Sequence, residues 1–281
     1  MEMINALSID LEDWYHPELV RKRSGGSPVP QIAAATQPIL DLLDRYETKA
    51  SFFILGEVAE GHPDLIQSIY ERGHEIGCHG FSHKPLWELD ENSFRKELEQ
   101  FHGVMERILG KVEIKGFRAP TFSLDHRTKW ALKVLVDFGY QYDASIFPVK
   151  LNRVYGLKGA PLEPYRISLE NIVEEDPRSP LIEFPFPLLT IGRLKIPIAG
   201  GFYLRMIPLP FLYWGLRRIN QIRPFLVYFH PWEGHRKTPK QRLPLYDHLI
   251  TYYGSRSALG KLEYLLKRFR FTRVDEILGL R

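Results

Sequence analysis

The chain has 281 residues, 44% of them hydrophobic and 26% charged, with a formal net charge of +4. That balance fits a globular protein with a real core and excludes disordered and fibrous classes. The basic excess is spread over "RKR" at 21–23, "LRR" at 216–218 and "KRFRFTR" at 267–273 without an aromatic–basic platform, so no nucleic-acid partner is expected.

The N-terminus "MEMINALSIDLEDW" lacks the basic and apolar regions of a signal peptide, and no apolar run reaches the ~18–20 residues of a membrane span. A single cysteine, Cys78, excludes an internal disulfide and fits a reducing compartment. A cytoplasmic location follows as the expectation. The apolar "IPLPFLYWGL" with the basic "RRINQIR" behind it offers a peripheral membrane contact as the lesser alternative to packing on its own domain.

In chain order, "INALSID" reads as a strand, "IAAATQPILDLLDRY" as a helix and "ASFFILG" as a strand. "PDLIQSIYERG" is a helix opened by Pro63 and closed by Gly73. "HEIGCHG" is a short strand, "SFRKELEQFHGVMERILG" a helix, "IKGFRAP" a strand, "RTKWALKVLVDFG" a helix and "YQYDASIF" a strand. Residues 150–180 break the rhythm and read as an excursion over the barrel mouth. "PLIEFPFPLLTIGRLKIPIAGGFY" reads as strand, hairpin and loop. A helix at 208–221, the strand "FLVYFHPWE", the helix "SALGKLEYLLKRF" and a last strand "FTRVDEI" close the chain.

This alternation predicts an α/β fold with parallel strands wrapped by helices. A barrel suits it better than an open dinucleotide fold, since no G-x-G-x-x-G follows the first strand. One domain is expected over 1–281, with the excursion at about 150–180 and a C-terminal helical extension at about 235–281.

The polar clusters all fall at the C-terminal ends of predicted strands: Asp10, Glu12 and Asp13; His79; Arg118; Asp143; His230. Parallel α/β barrels build their sites at that rim. His79 and His83, four apart in "CHGFSH", have the spacing of two metal ligands, and a carboxylate from the first strand is the natural third. His74 precedes the strand and is set aside. Cys78, beside a proposed ligand, points the other way by strand alternation and reads as a buried structural thiol. Of the acids in "SIDLED", one can bind a metal and another act as general base on water. Asp10 and Glu12 share a face by period two, and Asp13 joins them if the backbone turns.

These residues resemble a polysaccharide deacetylase of carbohydrate esterase family 4, the NodB-homology group, and within it the exopolysaccharide-associated branch, whose first motif reads like "DxED". "SIDLED", "HEIGCHGFSH", "FRAPTFS", "YDASIFP" and "FHPWE" are similar to the five motifs in order, and "PIAGGFYLR" and "FRFTRVDEIL" also look like this branch. The resemblance implies a deformed (β/α)7-type barrel and metal-assisted removal of acetyl from N-acetylated sugars, in a polymer, an oligosaccharide or its precursor. It implies Asp10 as catalytic base, Arg118 as the arginine that orients it, His230 as catalytic acid and Asp143 as the acid that tunes His230. It implies His79 and His83 as ligands of a divalent metal, Zn2+ foremost. The carboxylate ligand is Glu12 by the same-face reading or Asp13 by the turn reading, with Asp13 preferred. Trp14, Phe122, Tyr203 and Trp232 are expected to stack on sugar, while Gly200 and Gly201 permit close backbone approach. The alternatives are an allantoinase-like amidohydrolase acting on a small ring amide and a non-catalytic carbohydrate-binding protein.

Overall fold

A computed structural model of the protein describes residues 3–23, 28–150 and 156–280. Residues 151–155 of the expected excursion, and residue 281 of the C-terminal extension, lie outside the described residues.

The strands are β1 (Ile4–Leu11), β2 (Ser51–Ile54), β3 (Glu75–Cys78), β4 (Gly116–Phe117), β5 (Tyr142–Asp143), β6 (Tyr165–Arg166), β7 (Ile182–Glu183), β8 (Leu188–Ile191), β9 (Leu194–Pro197), β10 (Leu226–Phe229) and β11 (Arg270–Thr272). The helices between and after them are α1 (Glu18–Arg21), α2 (Ile32–Arg45), α3 (Gly56–Gly61), α4 (Pro63–Glu71), α5 (Glu91–Leu109), α6 (Trp130–Asp137), α7 (Gly201–Met206), α8 (Leu209–Asn220), α9 (Pro231–Gly234), α10 (Leu245–Tyr252), α11 (Ser255–Leu266) and α12 (Val274–Ile277).

Strands β10-β1-β2-β3-β4-β5-β7 are neighbours in that order, and every pair along this path is parallel. Seven parallel strands with outer helices are the expected (β/α)7 arrangement. β6 adds antiparallel to the outer edge of β7, β11 pairs with the first residues of β1, and β8–β9 form a separate hairpin. No ladder joins β10 to β6 among the described residues, so the barrel stays open on that side.

The sheet is strongly curled. β1 and β4 are separated by two strands, roughly 14 Å across a flat sheet. Yet Arg118, just beyond β4, donates to Ser8 Oγ (2.8 Å) and Asp10 Oδ1 (2.5 Å) of β1. Only a concave sheet lets one side chain cover that span.

Burial follows the strand period. Leu7, Ile9 and Leu11 of β1 join the large core beneath the helices, whereas Ala6 joins Phe53, Tyr142, Phe184, Leu226 and Val274 in a plug inside the barrel. β1 is buried along both faces, as a parallel strand between helices and barrel interior must be. The inward positions above the plug, Ser8 and Asp10, are polar and buried. The plug fills the lower barrel and leaves the C-terminal rim for chemistry.

The bounds of several expected strands are corrected here. The strands in "IKGFRAP" and "YQYDASIF" shrink to Gly116–Phe117 and Tyr142–Asp143, and "FTRVDEI" turns helical after Thr272. The excursion, where it is described, forms the edge strand β6 and a bridge between Ile167 and Glu175. "IPLPFLYWGL" lies largely on α8, whose Leu212, Gly215, Leu216 and Ile219 are buried against the domain. Among the described residues no helix is long and apolar enough to cross a membrane.

Gly116 shows how tightly the plug is fitted, because a Cβ there would collide with the Tyr142 ring. Gly116→Ala should therefore lower the unfolding free energy by about 1–3 kcal/mol, read from denaturant melts. Unchanged stability would mean that the plug is loosely packed.

Candidate metal centre and catalytic site

At the end of β1 the chain makes a tight turn, with Glu12 N donating to Asp10 O (2.9 Å). That turn keeps the Asp10 and Glu12 side chains on one cavity and sends Asp13 elsewhere. Glu12, His79 and His83 bring their ligand atoms within 4.8 Å of one another, all three buried. Glu12 Oε2 lies 2.6 Å from His83 Nε2. His79 follows β3 directly, and its Nδ1 donates to the carbonyl oxygen of Arg118 at 2.7 Å. That bond leaves Nε2 as the free donor atom and fixes the ring, as second partners of metal-binding histidines do. Burial pushes the His79 imidazole down to about 4, against the pull of Asp10, so it is neutral and ligand-competent at neutral pH. Burial alone would raise the Glu12 carboxyl, but His83 and His230 outweigh it and hold the group well below the usual range. Two imidazoles and one ionised carboxylate, with cavity on the open side, fit a divalent cation.

His83 stands in a loop of unusual backbone. Its φ is +57°, in the region that side chains rarely adopt. Buried Glu97 of α5 holds that loop. Its carboxylate accepts from Phe81 N (2.9 Å), Ser82 N (2.8 Å) and Ser82 Oγ (2.6 Å). Thr121 and Phe122 in "FRAPTFS" also have positive φ, so three of the four such non-glycine positions among the described residues gather at this rim, the fourth being Glu47 after α2.

Asp13, the preferred carboxylate in the sequence reading, is not part of the group. Its Oδ1 accepts from Trp14 N (2.8 Å), and its Oδ2 accepts from Gln31 N (2.6 Å) and Ile32 N (3.0 Å). Gln31 supplies no side-chain cap to α2, so Asp13 satisfies that helix start from across the fold. Glu12 takes the place beside the imidazoles.

Asp10 is clamped by Arg118, whose Nη1 reaches Oδ1 and whose Nε donates to Ala144 O (3.0 Å). His230, at the end of β10, places Nε2 3.4 Å from Glu12 Oε1 and 3.7 Å from Asp10 Oδ2. Its Nδ1 lies 3.0 Å from Glu233 Oε2, and Glu233 Oε1 accepts from Arg205 Nε at 2.6 Å. Burial opposes charge on His230, but Glu233 and Glu12 prevail and raise it to about 9.

Asp143, expected to tune His230, does not touch it. It faces Glu183 across the β5–β7 ladder and accepts from Ser145 Oγ (2.5 Å). Burial pushes both carboxyls up, with Glu183 raised further by Asp143. Glu233 is the acid on His230. The signal for it is "HPWE", since a carboxylate three residues past a strand-end histidine folds back onto it over a short helix start.

Asp10, Glu12, His79, His83, Arg118, His230 and Glu233 line one cavity of about 170 Å3 that opens to the surface. Phe122 and Trp232 line it, and Trp232 Nε1 donates to Glu12 Oε1 at 3.1 Å. Trp14 and Tyr203 do not line it. Trp14 packs behind Trp232 with Val20, and Tyr203 joins a stack with Phe147, Phe186 and Tyr228. Gly201 does line the wall, and Gly200 and Gly201 lie so close to the Tyr228 ring that a Cβ on either would overlap it. Sequence reasoning also missed Glu18 and Leu19 of α1, Arg205, and Ile250 and Thr251 of α10, all lining the cavity. His74 lies at the other end of β3, and Cys78 is in the core under the helices.

Comparison with known proteins gives the following. Residues 27–142 match the polysaccharide deacetylase family model, and residues 144–279 match a model described as a domain of unknown function (DUF3473). A peptidoglycan-N-acetylglucosamine deacetylase of Bacillus cereus is 36% identical over 97 residues, which is 34% of this chain and 35% of that protein. The match thus spans about a third of that relative's length. Among solved structures, Puue allantoinase superposes with a TM-score of 0.62 at 15% identity, covering 99% of this chain and 89% of that one. The Bc1960 peptidoglycan N-acetylglucosamine deacetylase superposes with a TM-score of 0.50 at 20% identity, covering 98% and 87%. At these identities the structural likeness is one of fold.

The two neighbouring acids should separate cleanly. Asp13→Ala should cost about 1–2 kcal/mol of unfolding free energy, the loss of a helix cap, and leave metal content unchanged. Glu12→Ala should lose bound metal. Metal lost from the Asp13 variant and kept by the Glu12 variant would reverse the assignment.

Proposed function

Because residues 27–142 match the polysaccharide deacetylase family, we propose that the chain is a metal-dependent hydrolase that removes N-acetyl groups from sugar residues of a polysaccharide or its precursor. The observation that supports this reading most is the meeting of three functions in one cavity: a clamped carboxylate, a two-histidine carboxylate donor set and a charged imidazole. Glu12, His79 and His83 would hold the cation, and a histidine pair with one carboxylate and an open side is a donor set of catalytic zinc. When bound, the cation supplies Lewis-acid polarisation of the acetyl carbonyl.

The chain's own groups handle the protons. Asp10 keeps Oδ2 toward the cavity while Oδ1 is engaged by Arg118, so it accepts the proton of the attacking water at a defined atom. His230, charged at neutral pH, delivers a proton from Nε2 to the departing nitrogen. Water oxygen bonds to the acetyl carbon, the C–N bond breaks, and acetate and a free amino sugar leave. Glu233, anchored by Arg205, holds the imidazole in orientation and keeps it charged. Phe122 and Trp232 offer apolar faces to a sugar ring. The exopolysaccharide-associated likeness of the C-terminal half favours an exopolysaccharide or its lipid-linked precursor as the polymer class, with zinc as the resident ion and the cytoplasm as the site of action.

Acetate release from N-acetylglucosamine oligomers tests the activity. His79→Ala should lose metal and turnover together, whereas Asp10→Asn should keep metal and lose about 10²–10⁴-fold in rate. Hydrolysis of a ring amide such as allantoin without acetate release would favour the allantoinase-like alternative. Metal binding with no hydrolysis of either would favour the carbohydrate-binding one. Full activity in Asp10→Asn would remove the base from Asp10.

The pH profile carries a separate expectation. His230 must be protonated to act, so the rate falls as pH rises through its value of about 9. Glu233→Gln removes the charge that raises it, and the alkaline limb should move to lower pH. An unmoved limb would exclude His230 as the acid.

A further inference from the structure

The segment 235–256 concentrates charge. It holds Arg236, Lys237, Lys240, Arg242 and Arg256 against Asp247, a balance of 5 − 1 = +4 with histidines neutral, equal to the formal charge of the whole chain. All five cations are exposed, and none has a carboxylate partner among the described residues. In their midst α10 turns apolar side chains outward. Leu245 is 77% exposed, Tyr246 73% and Leu249 48%, and Tyr253, at the helix end, is 54% exposed. Leu245, Tyr246 and Leu249 occupy one arc of the helix. Lys240 and Arg256 share a surface depression with Tyr253 and with half-exposed Met206.

The opposite side of the same helix belongs to the active site. Ile250 and Thr251 line the cavity beside His79 and His230. Arg205 donates to the carbonyls of Ile250 (2.9 Å) and Tyr253 (2.6 Å) at the end of α10, and with its Nε it holds Glu233. The exposed apolar face is thus tied through one guanidinium to the acid on His230.

We propose that this face of α10 docks the protein on an anionic lipid bilayer and sets the active-site cavity at the membrane surface. The chemistry favours that occupant. Exposed leucine and tyrosine side chains flanked along the chain by lysine and arginine match the boundary between acyl chains and anionic headgroups. A second copy of the chain is a poor fit, because a two-fold contact would bring the same cations face to face. A nucleic acid would use the cations but gain little from Leu245 and Leu249. Resting on the deacetylase reading, the consequence is a substrate class: a saccharide carried at the bilayer by a lipid, reached under α10, in preference to a polymer free in solution.

The test is flotation of the full chain with vesicles of phosphatidylcholine and phosphatidylglycerol, beside vesicles of phosphatidylcholine alone. The wild-type protein should float with the mixed vesicles, less at high salt, and stay behind with the neutral ones. Tyr246→Ser with Leu249→Ser should weaken flotation about tenfold or more. So should Arg236, Lys237, Lys240 and Arg242 changed together to Gln. Both variants alter exposed positions, and their acetate release from soluble oligomers should equal the wild-type rate. No flotation of the wild-type chain would overturn the proposal. Full flotation of the Tyr246/Leu249 variant would reduce the surface to a general polyanion contact and overturn it too. A dimer in light scattering that this variant dissolves would assign the face to a second copy instead. Flotation does not depend on catalysis, so an inactive protein that floats leaves the docking standing and removes only the substrate class.

Discussion

Arg118 is the constraint on which the site is built. Its side chain is among the largest fully buried ones in the molecule, and its groups serve separate parts of the chemistry. The guanidinium grips Asp10 and Ser8 on β1 and the Ala144 carbonyl after β5, and the Arg118 carbonyl oxygen fixes His79. A buried cation is costly unless paired and hydrogen-bonded. Here the pairing is also what holds Asp10 and His79 in a fixed relation. It spans the concave side of the sheet, so the curl of the barrel and the geometry of the site are one fact. The Phe53 ring lies 4.2 Å from the guanidinium carbon and seals it from below.

Behind this arginine the protein places a buried pair of acids. Asp143 and Glu183 share a buried ladder position, and burial raises both carboxyls. In front of it, charge is arranged oppositely. His230 is held positive between Glu233 and Glu12, and Glu233 is matched by Arg205.

The residues at strand ends were legible in the sequence because a parallel strand with apolar alternation has a predictable C-terminal rim. Asp10, His79, Arg118 and His230 could be placed there from pattern. The outcome beyond a strand end was not legible, since it depends on turns that the pattern does not encode. Whether Glu12 or Asp13 faces the histidines is decided by the turn at Asp10–Glu12 and by the need of α2 for a cap some twenty residues on. Asp143 sits at the right rim, but its neighbour Glu183 comes from a strand that the sequence places only loosely. Glu233 was overlooked because proximity in sequence to His230 reads as a helix start. The aromatics divided for a similar reason: Trp14 and Tyr203 lie at the rim in sequence, yet their rings pack into satellite clusters, while Phe122 and Trp232 are turned inward. The wall made by α10 had no signal at all, since it rests on where a distant segment returns to the mouth.

The central claim is that Glu12, His79 and His83 grip one cation. Anomalous diffraction from crystals of the zinc-loaded protein tests it directly. The expected result is one peak at bonding distance from His79 Nε2, His83 Nε2 and a Glu12 carboxylate oxygen, with Asp13 still on the start of α2. A peak bonded to Asp13, or loaded crystals with no peak between the two histidines, would contradict it.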